Sequence, residues 1–574
     1  MATNVQDITR SLGAFDLGSD VAQGHDQVSG LRNSDQPTNE QLIQALSRSA
    51  DITLSHCQSV NTSLVDRGLT DSLGLAELCA LRKNSTDLTT IALSLNNTAT
   101  QINEAIETSI IAHLESLGNL DRGGYYSMFH LQELLGHFDG QIRKIIRDIF
   151  SETSDERCVL WQVAEECYNQ ATGPHGVLDA DEYVVPQEDA CIGRIYDLDY
   201  ESEHFFDQEE RPEICQTLEE YLDEEAERKR EIESKKRQDW IGFWVEVLHG
   251  CPDGPTLFYP PASRTIEMPT NHLTDTPPYL FRTFDRDSSG INDDDVIASM
   301  ASDLTPERSR NDFLSLEKHE ATELLYSHLN KSCFEGLGSD NLMSWTSSLL
   351  FAIQYAIWRC HIRQCSQADV KICVVDTSKY PRGQFARDMW LIKAYRATAE
   401  EMVGDYKNFF DFRYTNSDYY NGEFLSQGRV NHAGRSCVVT LETLIDSGLY
   451  KIYPEFAEPY GMLKWPKRVL ELRIRWQFDH QTTLGEVESA FDLAKRSFPS
   501  LALSDMVLML LMFKKRIYRK ILLEEEEKQN VSEFDRTPVE VQRFLVATRA
   551  MDLLDQDRGF YNAEMMVQAL FECT

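Results

Sequence analysis

The sequence lacks any apolar run long enough to cross a membrane. Its longest such run, Met506 to Phe513, is far shorter than the ~18 to 20 apolar residues that a spanning helix needs. The first 20 residues also lack the basic start and the apolar core of a signal peptide. We therefore predict a soluble, intracellular protein of the cytoplasm.

Basic side chains are scarce relative to acidic ones. The 574 residues include 56 Lys and Arg against 93 Asp and Glu, which gives a formal net charge of −37. This balance disfavours binding to the phosphate backbone of nucleic acids and docking on anionic membranes. We expect a protein or a small molecule as the partner, and no nucleic acid.

The sequence also has little that would bind a metal or a nucleotide in the common ways. Its thirteen cysteines include no Cys-x-x-Cys pair, which favours reduced thiols. The segment 285–290 opens like a calcium loop, but Asn292 and Val296 stand where that loop needs an apolar residue and a bidentate Glu. We predict no metal site. Because G-x-G-x-x-G, P-loop and G-x-S-x-G motifs are absent, a Rossmann domain is not expected either.

The chain is long enough for several domains, since single cores stop growing near ~250 to 300 residues. Stretches of acidic residues, prolines and periodic apolar residues mark its divisions. We predict a disordered segment at 1–38, a helical bundle at 39–175, an acidic connector at 176–211, a charged helix at 212–250, a proline-rich linker at 251–274, an α+β domain at 275–478 and a helical C-terminal region at 479–574.

The N-terminal bundle is predicted from an apolar stripe. Its members recur largely at spacings of three, four or seven residues, which places them along one helix face. They are Leu88, Ile91, Leu95, Ile102, Ile106, Ile110, Leu114 and Leu117. Such a face must be buried, either within the bundle or by self-association of two copies.

Two short segments of the α+β domain carry polar residues in strand-like surroundings. Tyr279 to Phe284 alternates as a strand, with Arg282 on the face opposite Phe281. Leu342 to Ser347 is also predicted as a strand, and it leads into a helical pattern. Its hydroxyl side chains are Ser344, Thr346 and Ser347.

A third segment, Tyr419 to Val430, contains one acidic residue, Glu423. Asn421-Gly422 just before it is a strong turn signal. Glu423 is therefore expected to begin a strand and to present its carboxylate at the strand's end. The alternative interpretation is an ordinary solvated acid beside a hairpin turn.

Taken together, the three segments resemble the Arg-Ser-Glu branch of the ADP-ribosyltransferase fold. That family has an aromatic-Arg strand, a Ser-Thr-Ser strand leading to a helix, and a Glu that begins a strand followed by Gly. The resemblance covers residues 275–475, and the region also looks like an uncharacterised domain family of filamentous fungi. Helices and strands alternate here without a regular repeat, which indicates α+β. The resemblance implies a central mixed split sheet, flanked by the helical regions.

The resemblance also implies roles for single residues. Glu423 would stabilise the positively charged ribose that forms when the nicotinamide bond of NAD+ breaks. Arg282 would hold the phosphates or the ribose of NAD+. The hydroxyls of Ser344, Thr346 or Ser347 would orient Glu423. Trp345 and Asn421 would stand beside the bound NAD+, and no metal would be needed.

Two positions depart from the family's pattern. Asn421 stands where the transferases usually carry Glu or Gln, which helps to select the acceptor, and Trp345 interrupts the Ser-Thr-Ser pattern. These departures imply a different acceptor, hydrolysis of NAD+ without one, or an inactive domain. The alternatives to an NAD+-consuming enzyme are a catalytically inactive binding module and a helical scaffold protein.

Overall fold

The computed structural model describes residues 44–48, 50–55, 57–58, 74–118, 125–152, 158–183, 218–259, 276–304, 310–330, 340–416, 420–517, 537–558 and 562–571. The segment 1–38 lies outside these residues, as do most of the acidic connector and of the proline-rich linker. By its internal contacts the chain divides into two units, Met1–Ser109 and Ile110–Thr574.

The described part of the first unit is almost entirely helical. Its main element is helix α1 (Leu75–Leu117), which contains the whole apolar stripe and continues into the second unit. The predicted helix is thus confirmed, while self-association through its stripe stays a prediction. In the described part of the chain, no helix combines the length and the apolar character needed to cross a bilayer.

The second unit begins with a bundle of four further helices. These are α2 (Tyr125–His137), α3 (Asp139–Glu152), α4 (Val159–Thr172) and α5 (Leu218–Gly250). Residues 226–235 of α5 are exposed, as its charged pairs predict. Its apolar end differs, because Trp240 and Trp244 are fully buried and Trp240 Nε1 donates to the Leu178 carbonyl at 2.9 Å. The charged helix is therefore solvated at one end and docked at the other.

A six-stranded sheet forms the centre of the second unit, in the order β6-β7-β4-β1-β5-β9. Its strands are β1 (Tyr279–Phe284), β4 (Leu342–Thr346), β5 (Lys371–Asp376), β6 (Ala386–Arg387), β7 (Glu423–Gln427) and β9 (Ser436–Thr440). A smaller sheet, in the order β2-β3-β8, joins Ile291–Asn292, Val296–Ala298 and Arg429–Asn431.

Every strand pair in both sheets is antiparallel. The α+β class is therefore confirmed, and the expectation of a mixed sheet is wrong. Strands β1, β7 and β9 run one way and β4, β5 and β6 run the other, so each strand of the large sheet lies beside strands of opposite direction.

Further helices complete the second unit. They are α6 (Met300–Leu304), α7 (Lys318–Leu329), α8 (Leu349–Arg363), α9 (Asp388–Glu401), α10 (Tyr406–Thr415), α11 (Leu441–Asp446), α12 (Leu449–Ile452), α13 (Pro459–Met462), α14 (Pro466–Arg475), α15 (Leu484–Ser497), α16 (Leu503–Leu511), α17 (Val539–Arg558) and α18 (Ala563–Leu570). The most C-terminal of these share one apolar core with the sheet, in which Phe281, Phe544 and Val567 are all buried.

Strand alternation assigns the two faces of the large sheet. Leu280, Trp345 and Phe424 point to the core against the small sheet, which contributes Ile297 and Val430. Residues one position away, such as Phe281, point to the helical face instead. This division decides which of the candidate residues can act together.

Candidate active site around Glu423

The three strands that carry the candidate residues are neighbours in the sheet, in the order β7-β4-β1. In their register Glu423 stands opposite Thr346, and Thr346 stands opposite Phe281. Glu423 and Thr346 therefore share the helical face. Arg282 is one residue out of line with them, so its side chain leaves its strand on the other face.

Glu423 is the first residue of β7, as the turn signal before it predicts. Gly422 has a φ of +65°, and its carbonyl accepts from the Ser347 backbone N–H at 2.8 Å. The Glu423 side chain is 18% exposed, and its Oε2 accepts from Arg413 Nη2 at 2.6 Å. The carboxylate is thus held at the edge of solvent by a guanidinium.

Arg413 of α10 lies between two carboxylates. Its Nη2 also donates to Asp388 Oδ2 at 2.7 Å, and the Asp388 side chain is fully buried. Burial raises the pKa of Asp388 above that of an exposed carboxyl, and Glu423 adds to this effect while Arg413 opposes it. Burial alone would lower the pKa of Arg413, but the two carboxylates raise it, so its guanidinium stays charged.

The three hydroxyl residues that were predicted to orient Glu423, Ser344, Thr346 and Ser347, do not all lie at the same place. Thr346 Oγ1 donates to the Asn421 carbonyl at 2.6 Å, which ties β4 to the turn before Glu423. The Asn421 side chain is half-buried at this turn. Ser347 Oγ also approaches the turn, since a Cβ built on Gly422 would lie 2.0 Å from it. Ser344, two positions along the strand from Thr346, is bonded elsewhere.

Arg282 fills the gap where β1 and β4 separate. The two strands pair only at Phe281 and Thr346, and beyond this point Arg282 Nη1 donates to the Ser344 carbonyl at 2.9 Å. Its Nε donates to Asn292 Oδ1 at 3.2 Å, and burial lowers its pKa. The guanidinium is therefore fixed on the strand next but one to that of Glu423.

Trp345 lies away from Glu423, because alternation turns it to the opposite face. It is 2% exposed, its Nε1 donates to Ser426 Oγ at 2.8 Å, and its ring packs edge-on against Phe385. In this position Trp345 supports the core between the two sheets.

Two residues of distant sequence complete the surroundings of the turn. Glu540 of α17 accepts from Ser348 Oγ at 2.5 Å and from Arg473 Nη2 at 2.7 Å. Arg473 Nη1 in turn donates to the Tyr420 carbonyl at 3.1 Å. Burial would raise the pKa of Glu540, but its contacts with Arg473 and Ser348 lower it below the usual value. The turn before Glu423 is thus anchored by the C-terminal helix.

Ser344 belongs to a second polar cluster. Its Oγ lies 2.8 Å from His328 Nε2, and His328 Nδ1 lies 2.6 Å from Asp340 Oδ2. His328 is 3% exposed, at the C-terminal end of α7. Sequence reasoning missed His328, Asp340 and Arg413, because each is brought to its partner by tertiary folding.

The comparisons with known proteins reach only the central part of the chain. Residues 275–442 match the family model described as a domain of unknown function (DUF7587). This span contains Arg282, Ser344 and Glu423 but neither Arg473 nor Glu540. No curated protein and no solved structure matches the chain.

Proposed function

We propose that this protein consumes NAD+, as an ADP-ribosyltransferase or as an NAD+ glycohydrolase, with Glu423 as the catalytic carboxylate. The observation that carries the proposal is the adjacency of the three strands bearing Arg282, the hydroxyl residues and Glu423. Their order in the sheet is unrelated to the chain's local order, since β5 and β6 intervene in sequence. A solvated acid beside a turn would need no such neighbours.

The reaction breaks the bond between nicotinamide and ribose, and positive charge develops on the ribose. A carboxylate fixed beside that charge lowers the barrier, and fixing it in advance avoids reorganisation during the reaction. Glu423 is held in this way by Arg413, which Asp388 holds in turn. Water or an acceptor nucleophile then attacks the ribose carbon.

Arg282 supplies the charge for the phosphates from the gap between β1 and β4 that its guanidinium occupies, since its side chain leaves β1 on the face opposite Glu423. Its guanidinium is restrained by Asn292 and by the Ser344 carbonyl, so little side-chain entropy remains to be lost on binding. Thr346 and Ser347 act on the turn that carries Glu423. They are positioning residues in this scheme.

The test is nicotinamide release from NAD+ by the full chain and by its Glu423→Gln variant. We expect release to fall by about 100-fold or more, because the amide keeps the shape of the carboxylate without its charge. The matched control is Glu442→Gln, which alters an exposed acid of α11 in the same domain. Equal release from wild type and Glu423→Gln would remove Glu423 from the mechanism.

A further inference from the structure

A buried histidine links a carboxylate to a serine hydroxyl on the central strand β4. His328 Nδ1 lies 2.6 Å from Asp340 Oδ2, and its Nε2 lies 2.8 Å from Ser344 Oγ. The Asp340 carboxylate is itself restrained, since its Oδ1 accepts from the Leu342 backbone N–H at 3.2 Å. The three side chains come from a helix end, from the residue two before the strand, and from the middle of the strand.

The hydrogen-bonding capacity of these groups defines the tautomer of a neutral His328. An ionised carboxylate can only accept, so the proton of the imidazole must sit on Nδ1, facing Asp340. Nε2 then carries the lone pair and faces the hydroxyl of Ser344. This is the protonation state in which an imidazole can take a proton from a serine.

The histidine is the most buried member of the relay. His328 is 3% exposed, and the Asp340 side chain is 13% exposed. Ser344 is half-buried, as Asp340 is, so the serine is not sealed in the core. Arg282 Nη1 donates a hydrogen bond to the backbone carbonyl of Ser344 at 2.9 Å.

From this geometry we propose that Ser344 is a nucleophile for acyl transfer, with His328 as its general base and Asp340 as the residue that orients the imidazole. The substrate class is an ester with a carbonyl group small enough to reach Ser344. This activity does not depend on the cleavage of NAD+. A purely structural network would hold the same three residues without reacting, and the two cases are separated by experiment.

The proposed reaction has two balanced steps. Ser344 Oγ attacks the ester carbonyl, His328 Nε2 takes the hydroxyl proton, and that proton passes to the departing alcohol as the ester C–O bond breaks. Water then attacks the acyl-serine, with His328 again taking and returning a proton, and the carboxylic acid leaves.

The test uses the full chain and a fluorophosphonate probe, which phosphonylates activated serines. When the folded protein is labelled, we expect peptide mass spectrometry to find the probe on Ser344. When the protein is denatured before labelling, we expect Ser344 to stay unmodified. Hydrolysis of p-nitrophenyl acetate should be lost in Ser344→Ala. The His328→Asn variant should label at least 100-fold more slowly than wild type.

The matched control is His319→Asn, which changes an exposed histidine on the same helix and should label at the wild-type rate. Circular dichroism of each variant reports whether it folds. Mapping of the probe on the wild-type protein needs no variant. The proposal therefore stays testable even if one of the variants fails to fold. Absence of the probe from Ser344 in folded wild type, or equal rates for the two histidine variants, would overturn it.

Discussion

Gly422 shows how strongly a single position constrains the turn before Glu423. Its φ of +65° lies in the region that L side chains avoid, and an added Cβ would stand 2.0 Å from Ser347 Oγ and 3.1 Å from Pro538. Gly434 has a similar φ of +72° but open space around its Cα. Substitution of Gly434 therefore tests backbone strain alone, and substitution of Gly422 tests backbone strain together with crowding.

We expect Gly422→Ala to lower the thermal midpoint well below that of Gly434→Ala. Each substitution lowers the free energy of unfolding by ~1 to 2 kcal/mol because alanine resists a left-handed backbone. Only Gly422→Ala must also displace Ser347. Differential scanning fluorimetry of the two variants measures the difference. Equal shifts would show that the turn has room to adjust.

Asp312 gives the protein a pH-dependent stability. Burial raises the pKa of this carboxyl to about 7, although Gln427 Nε2 and the Leu314 N–H donate to its Oδ1 at 2.7 and 3.1 Å. In the described structure its Oδ2 has no hydrogen-bond partner. Because the folded-state pKa lies above the unfolded one, stability is greatest below the unfolded pKa and is lost as the pH rises through about 7.

We therefore predict that Asp312→Asn stabilises the protein increasingly from pH 5 to pH 8. Each pKa unit is worth ~1.4 kcal/mol, so the gain at pH 8 should exceed that at pH 5 by roughly 2 to 3 kcal/mol. Thermal midpoints across this range measure it, with the exposed Asp369→Asn as control. A difference between wild type and Asp312→Asn that does not change with pH would refute the assignment.

Sequence alone placed Glu423 at the start of its strand, because the Asn421-Gly422 turn acts locally. It could not place Arg413 beside Glu423 or His328 beside Ser344, since those contacts depend on how helices pack over the sheet. Arg282 shows an intermediate case. Its strand and its face were predictable from alternation, but not the gap between β1 and β4 that its guanidinium occupies.

At the scale of elements, Arg435 joins helix α4 of the N-terminal bundle to the sheet domain. The half-buried Arg435 forms an ion pair with the buried Glu165, and its guanidinium carbon lies 5.5 Å from the ring centres of Trp161 and Tyr380. Burial raises the pKa of Glu165 to about 7 despite the attraction of Arg435. The carboxylate therefore depends on this partner to stay charged near neutral pH.

Arg435→Ala should cost ~3 to 5 kcal/mol, because it leaves a buried carboxyl without its cation. The exposed pair Arg475–Glu458 is the comparison, and Arg475→Ala should cost at most ~1 kcal/mol. Urea denaturation of the two variants compares these losses. In a Glu165→Leu/Arg435→Met double variant, part of the lost stability should return. Similar losses for Arg435→Ala and Arg475→Ala would contradict the special role of the Glu165–Arg435 pair.

Elements differ in how well local pattern defines them. Strand β1 has the bounds that alternation predicts, Tyr279–Phe284. The sheet's antiparallel order was not predictable, because no local signal states which strand pairs with which. The same holds for the link from Glu540 of α17 through Arg473 to the turn before Glu423, whose two hydrogen bonds join residues 67 and 53 positions apart.

At the scale of the whole molecule, the C-terminal helices and the sheet domain share one core. Phe281 and Val374 of the sheet are buried in the same cluster as Val487 of α15 and Phe544 of α17. Each fully buried apolar side chain contributes ~1.5 to 3 kcal/mol. Removing the C-terminal helices removes many of these buried side chains. The free energy lost in this way exceeds the ~5 to 15 kcal/mol by which a folded protein is usually stable.

We accordingly predict that a fragment of residues 110–478 does not fold, whereas residues 110–574 keep a cooperative thermal transition close to that of the full chain. The first fragment retains the strands with Arg282, Ser344 and Glu423 but loses the apolar partners of β1 and β5, together with Glu540. Near-UV circular dichroism and thermal melts of both fragments decide the matter. A sharp transition in residues 110–478 would show that the sheet domain holds its own core, and would make the C-terminal helices an addition to the candidate active site rather than part of its support.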